Sequence, residues 1–361
     1  MKIGIHIGSA FSENRTGVEE YAFQLITNIA KLDDSKKHKF ILYSNPKVNK
    51  RYIKLPNNFT IKELRFPFLW TKIRLSIELL LNTPDVLFIP ANFLPLIHPR
   101  NSIVTIHGVE FEYLRDCYSK KDIFYLRRGT KEAIKKVRSI IAVSQNNKND
   151  IIKFYNAKEE NISVILHGSQ LGARDFTLEK TKKAEKYILY IGRIEKKKNI
   201  IGILEAFERA KEKYNIPHKL VLLGGEGYGF SYIQDKIQVS SQKDNIKITG
   251  YLNNDEKERL LIDADMLLFP SFYEGFGLPI LEAQARGVPV ITSNISSMPE
   301  VASSYGAIFV NPRDISEMAD AIYRIYSDES LRILLIKNGF LNIKKYSWQK
   351  CAKETLNIIT R

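Results

Sequence analysis

Residues 269–293 read FPSFYEGFGLPILEAQARGVPVITS, and the fold follows from this stretch. The run Met266–Pro270 that leads into it is short and continuously apolar, as a strand covered on both faces must be. A loop follows, then a helix predicted to begin near Pro279 and to end by Gly287. Proline just inside the start and glycine just past the end suit a helix. Gly275 and Gly277 let a ligand approach the backbone. The amides of Phe276, Gly277 and Leu278 fall at the predicted helix start, where anions bind. Glu274 and Glu282 flank the turn, and a carboxylate accepts two hydrogen bonds from a vicinal diol such as ribose. The ordinary alternative is a loop charge and a solvated helix face; the Gly-Phe-Gly turn after a strand favours the ligand.

Similar apolar runs recur on both sides. The first half holds KIGIHIG, KFILYS, DVLFIP, SIVTIH, SIIAVS and ISVIL; the second holds YILYIG, KLVLLG, IKITG, DMLLFP, PVITS and AIFV. Helical patterns lie between them, among them Val18–Lys31, Ile200–Tyr214 and Ile315–Ser327. Strand–helix alternation builds right-handed βαβ units and doubly wound parallel sheets, here in two sets. The fold class is therefore α/β with two Rossmann-like domains, 1–167 and 186–340. The polar stretch 168–185 is the linker. Ligands of such sheets sit beyond the carboxyl ends of the strands. That rule marks Gly8, Asn92, His107, Ser144, Gly192, Gly224, Gly250, Ser271 and Ser293. Two domains facing one another would enclose a binding cleft.

A chain of 361 residues, 44% hydrophobic and 26% charged, is long enough for two cores. Cys117 and Cys351 lie too far apart in sequence to suggest a disulfide framework or a cysteine metal site. The opening MKIGIHIGSA reads as a first strand, not a signal peptide. No run approaches the roughly 20 apolar residues of a spanning helix, so a cytoplasmic protein is expected. The net charge is +15, and residues 1–167 carry 27 basic against 16 acidic side chains, most of the excess. No nucleic-acid motif accompanies that charge. An anionic membrane surface is the partner expected, with a well-solvated lysine surface as the equal alternative. The segment LRFPFLWTKIRLSIELLL could lie on a membrane or grip a lipid-linked acceptor; an amphipathic helix packed on the first sheet is the preferred reading.

The motifs together resemble family 4 of the retaining glycosyltransferases, which have the GT-B architecture. EGFGLPILE matches the family's E-x7-E element with Glu274 and Glu282. YIGRIEKKKN matches its Gly-Arg…Lys-Asn loop, and RTGVEEYAFQLI resembles its first glycine loop and helix. IVTIHGVEF, SIIAVSQNNKNDI, NIKITGYL and the tail YSWQKCAKETL follow in the family's order. Within it, the chain looks most like bacterial mannosyl- and rhamnosyl-type polysaccharide enzymes.

The resemblance implies roles. Arg193 and Lys198 would hold the donor diphosphate. Charge grows on that leaving group in the transition state, so the same contacts are catalytic. Glu282 would take the ribose hydroxyls, Glu274 would face the donor sugar, and Gly250, Tyr251 and Leu252 would hold the base. His107 would contact the sugar or phosphate, and Gly17 would let the first glycine loop approach the phosphates or the acceptor. The first domain would serve the acceptor, and residues 341–361 would form a helix packing back onto it. The expected reaction moves a hexose from a nucleotide sugar, GDP-mannose for choice, to a glycan or lipid-linked acceptor, with retention, no cofactor and no metal. A nucleotide-sugar epimerase and a non-catalytic sugar-nucleotide-binding scaffold are the alternatives.

Three patterns carry less. Asp263-Ala-Asp265 looks like a D-x-D metal motif, but its place just before a strand reads as structural. His6, His98 and His167 lack metal-ligand spacing. Ser144 is explained equally well as a satisfied strand-end hydroxyl. The chain also departs from the family: His167-Gly168-Ser169-Gln170 replaces its Asn-Gly-Val-Asp, and Thr16-Gly17 stands where many members have two glycines.

Overall fold

The structure is a computed structural model and describes residues 1–12, 15–45, 55–66, 68–169 and 185–361. The chain divides into two units. Residues 1–112, 120–168 and 347–361 form the first; 113–119 and 169–346 belong to the second. Most of the expected linker, residues 170–184, lies outside the described residues.

The first unit holds seven strands among its described residues: β1 Lys2–Gly8, β2 Lys39–Ser44, β3 Phe59–Glu63, β4 Val86–Ile89, β5 Ser102–Ile106, β6 Ser139–Ala142 and β7 Ile162–Val164. They lie in the order β3-β2-β1-β4-β5-β6-β7, and every neighbouring pair is parallel. β4 and β5 are buried along their whole length, as a sheet with helices on both faces requires. β3 is absent from the sequence reading. It alternates apolar Phe59 and Ile61 with Thr60 and Lys62 and sits half-covered at the sheet edge, so it makes no continuous apolar run.

The second unit holds six: β8 Tyr187–Ile191, β9 Lys219–Leu223, β10 Ile246–Gly250, β11 Met266–Phe269, β12 Val290–Ser293 and β13 Ile308–Val310. Their order is β10-β9-β8-β11-β12-β13, again all parallel. The helices Ile200–Tyr214 and Ile315–Ser327 have the predicted bounds. The helix predicted at Val18–Lys31 runs over Gly17–Ile29, started by a capping box between Thr16 and Glu19.

Two domain bounds differ from the sequence reading. Residues 341–346 stay with the second unit, because the helix Glu329–Ile343 is anchored there. Its Asn342 donates to Gln284 Oε1 and to the Val301 carbonyl, both at 2.8 Å. The helix Trp348–Thr360 belongs to the first unit and packs on Gly17–Ile29. Residues 113–119 also differ. Tyr113 stacks on Tyr273 with ring centroids 5.5 Å apart, and Lys197 Nζ lies 3.0 Å from the Tyr118 hydroxyl.

The C-terminal helix is seated by an aromatic stack in which the His167 ring lies between Tyr21 and Trp348, at 4.6 and 5.7 Å. Gly168 sits directly beneath the helix start, where an added Cβ would fall 2.1 Å from the Trp348 backbone nitrogen. The neighbour is backbone and cannot turn aside. Gly168→Ala should therefore destabilise the protein by about 1–3 kcal/mol, the usual cost of overpacking. Gly17→Ala should leave stability nearly unchanged, since nothing lies within 4 Å of a Cβ there. Thermal unfolding checks both; an unchanged midpoint for Gly168→Ala would contradict the packing.

Candidate functional site

In the second sheet the chain winds outward from β8 to β9 and β10, then returns to β11 beside β8 and winds the other way. The switch point lies between β8 and β11, and the crevice beyond their carboxyl ends is where such a sheet takes a ligand. The loops after β8 and β11 carry Arg193, Lys198 and Glu274 into that crevice. The loops after β9 and β10 carry Gly224–Gly227 and Gly250–Leu252 alongside.

The loop after β8 is held at both ends. The Tyr190 hydroxyl donates to the Arg193 carbonyl at 2.9 Å, and the Ile194 amide donates to the Gly225 carbonyl at 2.9 Å. This brings the ends of β8 and β9 so close that a Cβ on Gly224 (φ +150°) would meet the Gly192 carbonyl oxygen at 1.9 Å. Only glycine fits there. The Arg193 side chain is exposed, with one long contact of 3.4 Å to the Glu226 carbonyl. Its guanidinium is therefore little committed within the protein.

The three lysines that follow separate in space. Lys196 is exposed, Lys197 turns to Tyr118 and Glu195, and Lys198 Nζ lies 2.6 Å from Glu274 Oε1. The Lys198 and Glu274 side chains are only 17% and 12% exposed, so the pair is largely withdrawn from water. Asn199, the next residue, staples three loops together. Its Nδ2 donates to the Pro270 carbonyl at 3.1 Å and to the Pro312 carbonyl at 2.6 Å. The Glu274 loop is braced from β12's end. Ser296 Oγ and Ser297 Oγ donate to the Glu274 carbonyl at 2.7 and 2.8 Å, and Ser297 Oγ also reaches the Phe276 carbonyl at 2.8 Å. Sequence reasoning passed over Asn199, Ser296 and Ser297. The Lys-Asn pair of the loop and the polar run after β12 were the available signals.

Beyond the Glu274 loop, Gly277 (φ +109°) starts the helix Leu278–Gln284, with Pro279 in its first turn. Phe276 is buried and its carbonyl is taken by Ser297; Leu278 is half-buried. Glu282 lies on the helix and takes Lys257 Nζ at 2.7 Å on Oε1; its Oε2 is buried with no hydrogen-bond partner. A buried, unfilled carboxylate oxygen is costly unless a donor arrives. Lys257 had no signal in the sequence. Gly250 ends β10 with open space around it, and Tyr251 and Leu252 lead into the helix Asn254–Asp263, capped by Asn253.

Asp265 faces Arg332 and His218, each at 3.6 Å, a structural setting at the start of β11. Among the described residues no cluster of three or more His, Cys, Asp or Glu could hold a metal ion.

In the first unit, Gly17 is exposed at the start of its helix. Ser144 caps the helix Gln145–Tyr155, its Oγ accepting from the Asn147 amide at 3.0 Å. His107 follows β5, edge-on to Tyr21 at 4.8 Å, with Nε2 3.0 Å from the Pro90 carbonyl. A carbonyl only accepts, so Nε2 carries the proton and Nδ1 keeps its lone pair. Burial pushes His107 down to about 4 from the usual 6.5, and it drives His167 well below its ordinary value too. Both rings are thus neutral at neutral pH. A histidine lowered on folding takes up its proton more readily when unfolded, so it costs stability as pH falls. For His107 the loss runs from about pH 6.5 down to about pH 4. Thermal midpoints across that range should fall less steeply for His107→Gln than for the wild type; parallel curves would contradict the assignment.

Known proteins resemble this chain in sequence and in fold. The family model for glycosyl transferases group 1 matches residues 174–341, and that for Glycosyltransferase Family 4 matches residues 15–171. The capsular polysaccharide biosynthesis glycosyltransferase CapM of Staphylococcus aureus is 30% identical over 261 residues, 68% of this chain and 67% of its own. The O-antigen chain mannosyltransferase B of Escherichia coli is 29% identical over 264 residues, 71% of this chain and 69% of its own. In two other curated relatives the matched stretch spans 59% and 61% of their lengths. The crystal structure of WaaG, a glycosyltransferase involved in lipopolysaccharide biosynthesis, superposes with a TM-score of 0.76 at 15% identity, covering 99% of both chains. That likeness is one of fold, the two-domain α/β GT-B architecture.

Proposed function

We propose a specific reaction for a chain that belongs to family 4 of the glycosyltransferases. It moves mannose from GDP-mannose to a glycan or lipid-linked acceptor in surface polysaccharide synthesis, with retention at the anomeric carbon. The observation that carries the reading is the Lys198–Glu274 pair at the switch point, 2.6 Å apart and largely withdrawn from water. The choice of mannose rests on the mannosyltransferase among the relatives.

In this proposal the donor diphosphate lies across the ends of β8 and β11. Lys198 shifts from Glu274 to the phosphates, and Arg193, little committed within the protein, takes the other side. Glu274, released from its lysine, accepts hydrogen bonds from the donor sugar. The open Oε2 of Glu282 accepts from a ribose hydroxyl. The bond between the anomeric carbon and the phosphate oxygen breaks. The acceptor oxygen attacks from the same face, and its proton passes to the departing phosphate oxygen. Two side-chain cations then carry the charge that grows on the leaving group, the task a divalent ion serves in other transferases. The reaction accordingly needs no metal and no cofactor. The protein works on the cytoplasmic side, its basic half towards an anionic membrane surface.

Losing one such cation typically lowers the rate by roughly 10²–10³. Arg193→Ala and Lys198→Ala should each lower transfer from GDP-mannose by that order; Arg193→Ala should shift the thermal midpoint by only a few degrees, and Lys198→Ala by more, because it strands the Glu274 carboxylate. Near-normal transfer by both would overturn the assignment. NMR of the product should show the α anomer, and the β anomer would refute retention. Product formed from the donor with no acceptor present would mark an epimerase instead.

A further inference from the structure

We propose that the first unit docks on an anionic lipid bilayer through an apolar ridge beside a cationic helix. The ridge lies on and around the helix Arg74–Leu81. Phe68 is 70% exposed, Leu69 61%, Leu80 63%, Leu81 72% and Leu96 60%. Leu75 and Leu79 already turn this helix to the core, so its outward leucines are not needed for folding. The helix buries Ser76 and Glu78 along with Leu75 and Leu79, and it turns Ile77, Leu80 and Leu81 outward. Separate segments meet here: the Leu96 amide donates to the Lys72 carbonyl at 3.4 Å, and the Ile97 amide to Ser76 Oγ at 3.1 Å. A cluster of large exposed apolar side chains marks an interaction surface.

The chemistry of the partner is written next to it. The helix Lys120–Lys136 carries seven Lys or Arg against two acids, and only Thr130 and Ala133 are buried along its 17 residues. The segment that presents Leu96 runs against this helix. Asn92 Nδ2 donates to Thr130 Oγ1 at 3.3 Å, and the Phe93 ring fills the space a Cβ on Gly129 would need. Lys72 lies close enough to Glu132 to help hold its carboxyl below the usual range, behind the larger effect of Lys136. The helix borders an open groove of about 1380 Å³, lined by Phe124, where Arg128, Lys131, Lys135 and Lys158 outnumber the acids Glu112 and Glu132. Apolar side chains for the acyl boundary, with lysines and arginines for the phosphates, are the chemistry of an anionic bilayer surface. Among the described residues no helix is long and apolar enough to cross a membrane, so the contact is interfacial.

The inference deepens the membrane-facing reading of the basic half given above. It is scored without donor, so its failure leaves the transferase reading standing. The full chain is floated with vesicles of phosphatidylcholine alone and of phosphatidylcholine with phosphatidylglycerol. It should bind only the second kind and be released by salt. Leu80→Ser with Leu81→Ser, and separately Lys131→Glu with Lys135→Glu, should each weaken binding at least about tenfold. Transfer to a soluble acceptor should be unchanged in both. Phe68→Ser with Leu96→Ser repeats the apolar test on other segments should the helix variant not fold. No binding to phosphatidylglycerol vesicles, or wild-type binding by the apolar and charge variants, would overturn the proposal. So would a wild-type dimer that the Leu80/Leu81 variant dissociates, for then a second copy covers the ridge.

Discussion

One ion pair organises the second unit. Lys198 and Glu274 come from the two strands at which the sheet reverses its winding, and they meet 2.6 Å apart with little water around them. Withdrawing two charges from solvent is costly, and mutual attraction alone often fails to offset it. The surrounding loops supply the rest. Asn199 ties the lysine's loop to the chain after β11 and after β13, and Ser296 and Ser297 hold the glutamate's loop from the end of β12. Without a ligand each charge satisfies the other. In the proposed reaction an arriving diphosphate competes for the ammonium and frees a carboxylate for hydroxyl groups. The site is thereby organised before the ligand comes, which is the condition for strong electrostatic catalysis.

The glycines serve the same end. The ends of β8 and β9 are brought within a distance that admits no side chain at Gly224, and this keeps Arg193 and the Glu226 backbone side by side. The first unit uses neutral chemistry instead. His107 and His167 are kept unprotonated by burial, in a stack that also seats the C-terminal helix. Its charge is concentrated outside, on the helix Lys120–Lys136, where folding does not require it.

The strands covered on both faces could be read from the sequence because burial on two sides demands unbroken apolar runs. β4, β5 and β11 are of this kind. β3 could not, since an edge strand in partial contact with water keeps a mixed pattern. Lys198, Glu274 and Glu282 were legible through the motifs around them. Their partners in the folded chain were not. The two bonds of Asn199 span 71 and 113 residues, and nothing local to it signals either. The same holds for Lys257, which reaches Glu282 across 25 residues from a helix that reads as ordinary solvated surface. Residues 113–119 join the second unit through side-chain contacts such as those of Tyr113 and Tyr118, which leave no trace in composition.

The most direct measurement of the central claim is a calorimetric titration of the protein with GDP and with GMP. If the ammonium of Lys198 exchanges its carboxylate for a diphosphate, GDP should bind at least about tenfold more tightly than GMP, a difference of about 1.4 kcal/mol. Lys198→Gln should shrink that preference, leaving only the share held by Arg193, with GMP binding nearly as it was. Equal affinities in the wild type, or an undiminished preference for GDP in Lys198→Gln, would contradict the account.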